Sequence, residues 1–257
     1  LRCAGRAVDV LLARGCGRGP RRLTFLIIAL TQRCNSRCRI CRQWETPQSA
    51  AGRELPTDVW LRVLDEARRL DTLAVSITGG EPLLRDDLCL LVRRIRDLGM
   101  RSHLCSNGML LTETNVLRLA EAGLDSISLS MDGPTAALHD LQRGMRCFDL
   151  MVEGARTLRR LAPSIRLGFN YVLNRHNFLR LREAVELAQS LGASSLRFAP
   201  IHTNLQHRGR PEASFREMQL PAAVLPRLKR ELAQVARFAA ARPMHRNSRL
   251  FLDLTPS

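Results

Sequence analysis

The chain has 257 residues, a hydrophobic fraction of 45% and a charged fraction of 25%. These proportions exclude disorder as the default, and the length suits one α/β barrel or two small domains. The net charge of +16 raises the question of nucleic acid. However, Lys229 is the only lysine among the 40 basic residues, aromatics are only 4% of the chain, and no basic cluster is interleaved with them. Polynucleotide binding is therefore disfavoured against a solvated basic surface, which an anionic small molecule or peptide would also suit.

Residues 1–22 are arginine-rich and acid-poor and read as an N-terminal extension, with a short helix at 7–13 and a basic Gly/Pro loop at 15–21. The stretch resembles a transit peptide in composition but lacks the apolar centre of a secretory signal. The longest clean apolar run, residues 26–30, has the length of a strand and is too short to cross a membrane.

From there, strand-like runs alternate with helical patterns. Strands are expected at 23–30, 73–78, 101–105, 125–130, 165–173 and 194–199. Helices are expected at 57–70, with Thr57 as cap after Pro56, and at 86–98, between Asp86 as cap and Gly99 as stop. Others follow at 112–122 before Gly123, 148–161 before Pro163, 178–191 before Gly192, and 221–241. Six such repeats imply parallel strands with right-handed crossovers, either an open doubly wound sheet or a full or partial barrel. No Gly-rich dinucleotide fingerprint follows the first strand. Residues 23–200 thus read as the core. Residues 201–257 read as a polar connection, a last helix and a C-terminal segment, with 249–254 looking like a strand cut short.

The segment after the first strand carries Cys34-Asn35-Ser36-Arg37-Cys38-Arg39-Ile40-Cys41, a C-x3-C-x2-C spacing. Thiolates are soft ligands and select iron–sulfur clusters, zinc or copper(I). A closed zinc site or an electron-transfer cluster wants four protein ligands. Here three are close and no fourth cysteine or histidine follows at matching distance, so one metal position stays open for chemistry. A zinc site completed by a distant residue is the competing reading. Cys3, Cys16, Cys89, Cys105 and Cys147 are scattered singly and read as small buried or idle thiols.

The cysteine spacing, with apolar Ile40 before the last cysteine, resembles the signature of the radical S-adenosylmethionine (SAM) superfamily. The resemblance implies an α/β fold, a partial (β/α)6 TIM-like barrel. It also implies a [4Fe-4S] cluster on Cys34, Cys38 and Cys41, whose fourth iron takes the amine and carboxylate of SAM. Reductive cleavage of SAM to a 5′-deoxyadenosyl radical would follow, with hydrogen abstraction from a peptide or small metabolite. A reduced cytosol and a flavodoxin- or ferredoxin-type electron donor are implied, with no membrane.

Further residues carry the resemblance at the expected strand ends. Gly79-Gly80-Glu81-Pro82 looks like the family's GGEP motif, which meets the methionine amine of SAM. Ser106-Asn107 looks like a strand-end polar pair for the SAM amino acid, although Asn107-Gly108 is also a strong turn dipeptide. Ser130-Met131-Asp132-Gly133 resembles the segment that meets ribose and carboxylate. The stretch from His139 to Gly144, followed by Phe148, resembles that of peptide-modifying and molybdenum-cofactor members. Within it Arg143 is the implied partner of the SAM carboxylate, and Cys147 stands where a glycine is usual. Asn170, Val172 and Asn177 resemble an N-x-V…N pattern, and residues 196–200 the segment near the adenine. Relatives with SPASM or twitch extensions carry more cysteines, but none follows Cys147 here. That leaves either a single-cluster enzyme or an extension outside this sequence. An RNA-modifying member and a non-catalytic cluster- or SAM-binding module are the alternatives.

Overall fold

The computed structural model describes residues 23–41, 43–45, 54–201 and 213–240. The expected N-terminal extension and its helix, most of the polar connection after the last strand and the expected strand at 249–254 lie outside these residues.

Six strands form one sheet in chain order: β1 Phe25–Thr31, β2 Ala74–Gly79, β3 Arg101–Ser106, β4 Ser126–Ser130, β5 Arg166–Leu173 and β6 Ser195–Pro200. Every neighbouring pair is parallel and the sheet does not close on itself. The fold is the expected α/β partial barrel. Eight helices accompany the strands among the described residues: α1 Thr57–Arg69, α2 Leu88–Asp97, α3 Glu113–Ala122, α4 Ala136–Arg143, α5 Phe148–Leu161, α6 Leu181–Ser190, α7 Ala213–Met218 and α8 Leu225–Ala240. Short 3₁₀ turns at Gln43–Glu45, Pro82–Leu84 and Ala222–Val224 complete the course. No helix of the described residues is long and apolar enough to cross a membrane.

The two faces of the sheet differ because side chains alternate along each strand. Ile28, Leu30, Val75, Ile77, Leu104, Ile127, Leu129, Phe169 and Phe198 are buried against helix residues such as Leu64, Leu91, Ile95, Leu119 and Leu158. The opposite face is polar and finely graded. His103 Nδ1 lies 2.9 Å from Ser126 Oγ. A Cβ on Gly168 would sit 2.5 Å from Ser195 Oγ and 3.3 Å from Ser128 Oγ. That face is the hollow of the partial barrel, and small hydroxyl residues line it.

The helix boundaries depart from the sequence expectation in physically instructive ways. Pro56, not Thr57, occupies the cap position of α1, and the Thr57 hydroxyl donates instead to Asp87 Oδ2 at 2.7 Å. Asp87 rather than Asp86 precedes α2, and its carboxylate is gripped by Arg85 Nε and Nη2 instead of capping the helix. Helix α6 begins at Leu181 rather than 178, because Asn174 and Asn177 turn the chain with their own side chains: Asn174 N donates to Asn177 Oδ1 and His176 N to Asn174 Oδ1. Helix α4 was not foreseen at all. Eight residues are shorter than the window over which helical periodicity declares itself.

Candidate active site

The cysteines lie on the loop that leaves the C-terminal end of β1, the end at which barrel sites are built. That loop is pinned along its whole length. At its start, Gly80 N donates to Thr31 O and Glu81 N to Arg33 O, both at 2.8 Å. Asn107 Nδ2 donates to Asn35 Oδ1 at 2.7 Å. Ser36 is buried, with Oγ 3.3 Å from Cys38 Sγ. At its end, Arg39 N donates to Gln142 O at 2.9 Å and Cys41 N to Cys38 O at 3.1 Å. Gln43 N donates to Cys41 Sγ at 3.4 Å.

Cys34, Cys38 and Cys41 are all half-buried. Burial pushes the Cys34 thiol up to about 11; the Ser36 amide opposes this, while negative charge on Cys38, Glu81 and Cys41 adds to it. Ionising Cys34 thus costs more beside the other two sulfurs. The positive charge of a bound metal centre would offset that cost, since a coordinating thiol is held as the thiolate. The donor set therefore fits an iron–sulfur cluster. No fourth cysteine of the described residues joins the group.

The two glycines at the end of β2 exist for the sake of this loop. Gly79 has φ +131°, and a Cβ there would lie 2.4 Å from Thr31 O; on Gly80 it would lie 2.0 Å from Arg33 O. The close approach they permit is to the chain's own backbone at the root of the cysteine loop. Pro82 opens the 3₁₀ turn that follows. Glu81 is wholly buried between these elements. Its Oε1 accepts from Ser106 Oγ at 2.9 Å and Leu83 N at 3.2 Å, and its Oε2 from Asn107 N at 2.8 Å. Burial raises its pKa; the three hydrogen bonds and the cation of Arg143 resist. Ser106 and Asn107 thus hold Glu81 together, and Asn107 also holds the cysteine loop through Asn35.

Ser130 and Asn170 are register partners on β4 and β5, with Arg197 next to Asn170 on β6. Both are half-buried on the hollow face, and neither bonds its side chain to the rest of the group. Asp132, just beyond β4, is wholly buried. Its Oδ1 accepts from Val172 N at 3.1 Å, its carbonyl accepts from Asn177 Nδ2 at 2.9 Å, and its Oδ2 lies 2.5 Å from Arg143 Nη2. Arg143, the last residue of α4, also donates from Nη1 to Cys38 Sγ at 3.5 Å. The fold therefore joins Cys38, Arg143 and Asp132 in one line, and Asn35, Asn107, Glu81 and the Gly79–Gly80 turn in another. Ser130 and Asn170 lie beside them on the open face.

Several contributors were not singled out from sequence. Glu54 accepts from Thr31 Oγ1 at 2.5 Å and Gln32 N at 2.9 Å, and pairs with Arg85 at 3.5 Å. Burial alone would raise the Glu54 carboxyl; the bonds from Thr31 and Gln32 and the cations of Arg33 and Arg85 outweigh it and hold it below the ordinary 4.5. Arg85 likewise holds Asp87 below 3.8, helped by Thr57. Both depressed carboxylates add stability above their unfolded pKa values and lose it as pH falls through the folded ones. We expect the destabilisation caused by Glu54→Gln to shrink steadily from about pH 6 to about pH 3 in urea unfolding. A constant difference would deny Glu54 this role.

His139, Asp140 and Cys147 also converge, with ligand atoms within 4.8 Å of one another. Their chemistry is structural. His139 Nδ1 accepts from Asp132 N, and burial and the Arg143 cation hold its pKa down at about 3. Asp140 Oδ1 accepts from the amides of Cys147 and Phe148 at the start of α5. Burial pushes the Cys147 thiol up to about 12.

Residues 28–193, more than half of the chain, match the family model of the radical SAM superfamily. The chain belongs to the radical SAM superfamily. Membership implies SAM and an iron–sulfur cluster, and solved structures share the fold. SuiB of Streptococcus suis superposes with a TM-score of 0.72 at 19% identity, covering 93% of this chain and 51% of SuiB. SuiB bound to S-adenosylmethionine gives 0.71 at 19% identity, covering 92% and 52%. The protein anSMEcpe, bound to AdoMet and a Cp18Cys peptide, gives 0.65 at 18% identity, covering 84% and 59%. The chain thus spans about half the length of SuiB.

Proposed function

We propose that this chain is the catalytic core of a radical SAM enzyme, with Cys34, Cys38 and Cys41 holding a [4Fe-4S] cluster. The single observation that carries this reading is the cysteine loop itself: three half-buried thiols within eight residues, on a loop pinned along its length, with no fourth cysteine of the described residues beside them. Such a cluster, when bound, would supply the electron for reductive cleavage of the sulfur–C5′ bond of SAM, and hydrogen abstraction from substrate by the 5′-deoxyadenosyl group would follow.

The chain's own residues do the rest. The Gly79–Gly80–Glu81–Pro82 turn and Ser106–Asn107 fix the loop and offer the amino-acid side of a SAM site next to it. Ser130 and Asn170 face the hollow with uncommitted polar groups, suited to the ribose, and the buried Asp132–Arg143 pair stands next to the cysteine loop. We place the substrate in the hollow beside Ser130 and Asn170, at the same strand ends. We read that substrate as a peptide or small metabolite. The support for a peptide is that structures sharing this fold include SuiB bound to its precursor peptide SuiA and anSMEcpe with a peptide. A flavodoxin- or ferredoxin-type protein in the cytosol would deliver the electron.

The test is anaerobic reconstitution followed by dithionite and SAM. About four irons and four sulfides per chain are expected, with release of 5′-deoxyadenosine. Well-loaded protein that releases none would end the enzyme reading.

A further inference from the structure

We infer that Arg143 acts on the cluster rather than only on SAM: it sets the reduction potential through Cys38, and Asp132 is its counterweight. The inference rests on the cluster assignment above.

The unforeseen helix α4 ends against the cysteine loop, and each of its closing residues touches that loop. Gln142 O accepts from Arg39 N at 2.9 Å. Gly144, with φ +67°, passes under the loop so closely that a Cβ would lie 2.2 Å from Arg37 O. Between them Arg143 reaches inward. Its side chain is 12% exposed and that of Asp132 is not exposed at all. Nη1 donates to Cys38 Sγ at 3.5 Å, and Nη2 meets Asp132 Oδ2 at 2.5 Å. Nε is buried without a hydrogen-bond partner. The guanidinium is thus spent on a cysteine sulfur and a carboxylate.

Reducing the cluster by one electron adds negative charge to a site with little water. A cation and an N–H donor at the sulfur favour the reduced form, and hydrogen bonds to sulfur are a recognised lever on cluster potential. Asp132 works in the opposite direction, because its charge cancels part of that field. Removing one partner therefore undoes what removing the other enhances. A purely structural salt bridge has no such asymmetry, since breaking it from either side harms the loop alike.

The experiment is a potentiometric titration of the reconstituted full chain without SAM, followed by EPR of the reduced cluster. Arg143→Gln is expected to lower the reduced-to-oxidised ratio at fixed potential about tenfold, ~59 mV for a one-electron couple. Asp132→Asn keeps the shape and an oxygen acceptor for Val172 N, and is expected to shift the midpoint upward. Arg143→Lys, which keeps the charge, should stay closest to the unaltered protein. Midpoints that do not move in iron-loaded variants, or that move in the same direction for Arg143→Gln and Asp132→Asn, overturn the proposal. So does a weakened SAM dependence with an unchanged midpoint, which would assign Arg143 to SAM alone. If Arg143→Gln fails to load iron, Asp132→Asn decides by itself: a midpoint at or below that of the unaltered protein overturns the inference. Failure of the unaltered protein to bind iron is a separate result, and it strikes the cluster assignment.

Discussion

Replacing any one of Cys34, Cys38 or Cys41 with Ala is expected to abolish both iron–sulfur loading and release of 5′-deoxyadenosine, whereas Cys89→Ala leaves both at the level of the unaltered protein. The reason is coordination count. A cluster already short of one protein ligand has no reserve, and a second open iron exposes it to solvent and oxidant. The loop cannot readily recruit a substitute, because it is tied through the backbone of Thr31, Arg33 and Arg39 and the side chain of Asn35 and is held away from any other thiol. Cys89 sits on α2, half-buried against the core, where burial raises its thiol and Arg118 and Arg93 oppose. Iron, acid-labile sulfide and product are the quantities to measure after anaerobic reconstitution. If Cys89→Ala behaved like the three loop variants, the ligand assignment would be wrong.

Glu81→Ala should be the most damaging substitution outside the cysteines. The carboxylate accepts three hydrogen bonds in a fully buried setting, from Ser106 Oγ, Asn107 N and Leu83 N. Truncation strands those donors, at about 1–3 kcal/mol for each buried group left unsatisfied. It also frees Asn107, whose amide secures Asn35 on the cysteine loop. We expect a loss of about 3 kcal/mol or more in unfolding free energy, with lower iron occupancy. Glu81→Gln retains an oxygen for Asn107 N and an amide that Ser106 Oγ can accept, and strands only Leu83 N, so a loss of about 1 kcal/mol is expected. Urea unfolding of the apo protein separates the two. Equal losses for Ala and Gln would mean that this hydrogen-bond set does not stabilise the fold.

Much of the architecture was legible before the structure. Strands with alternating or continuous apolar runs and helices long enough for three turns were placed within a few residues, and the stops at Gly99, Gly123 and Gly192 coincide with positive-φ glycines. What escaped was short or long-range. Helix α4 has too few residues to show a period. Thr57 and Asp87 look like caps locally, but each finds a better partner in the other, 30 residues away. Glu54 is an isolated carboxylate in the sequence, and nothing nearby announces that Thr31, Arg33 and Arg85 will surround it.

The amino-acid sequence by itself determined the chemistry available: three thiols within eight residues, a Gly-Gly-Glu-Pro turn, and polar groups at successive strand ends. These are local properties, set by spacing and by the end of a strand at which a residue falls. The tertiary structure alone decided what each group faces. It turned the Gly79–Gly80 pair toward the backbone of Thr31 and Arg33, closed Glu81 against Ser106 and Asn107, and carried Arg143 across 105 residues to the sulfur of Cys38. Buried polar groups must find partners wherever the packed chain brings them, and those partners are chosen by the fold as a whole.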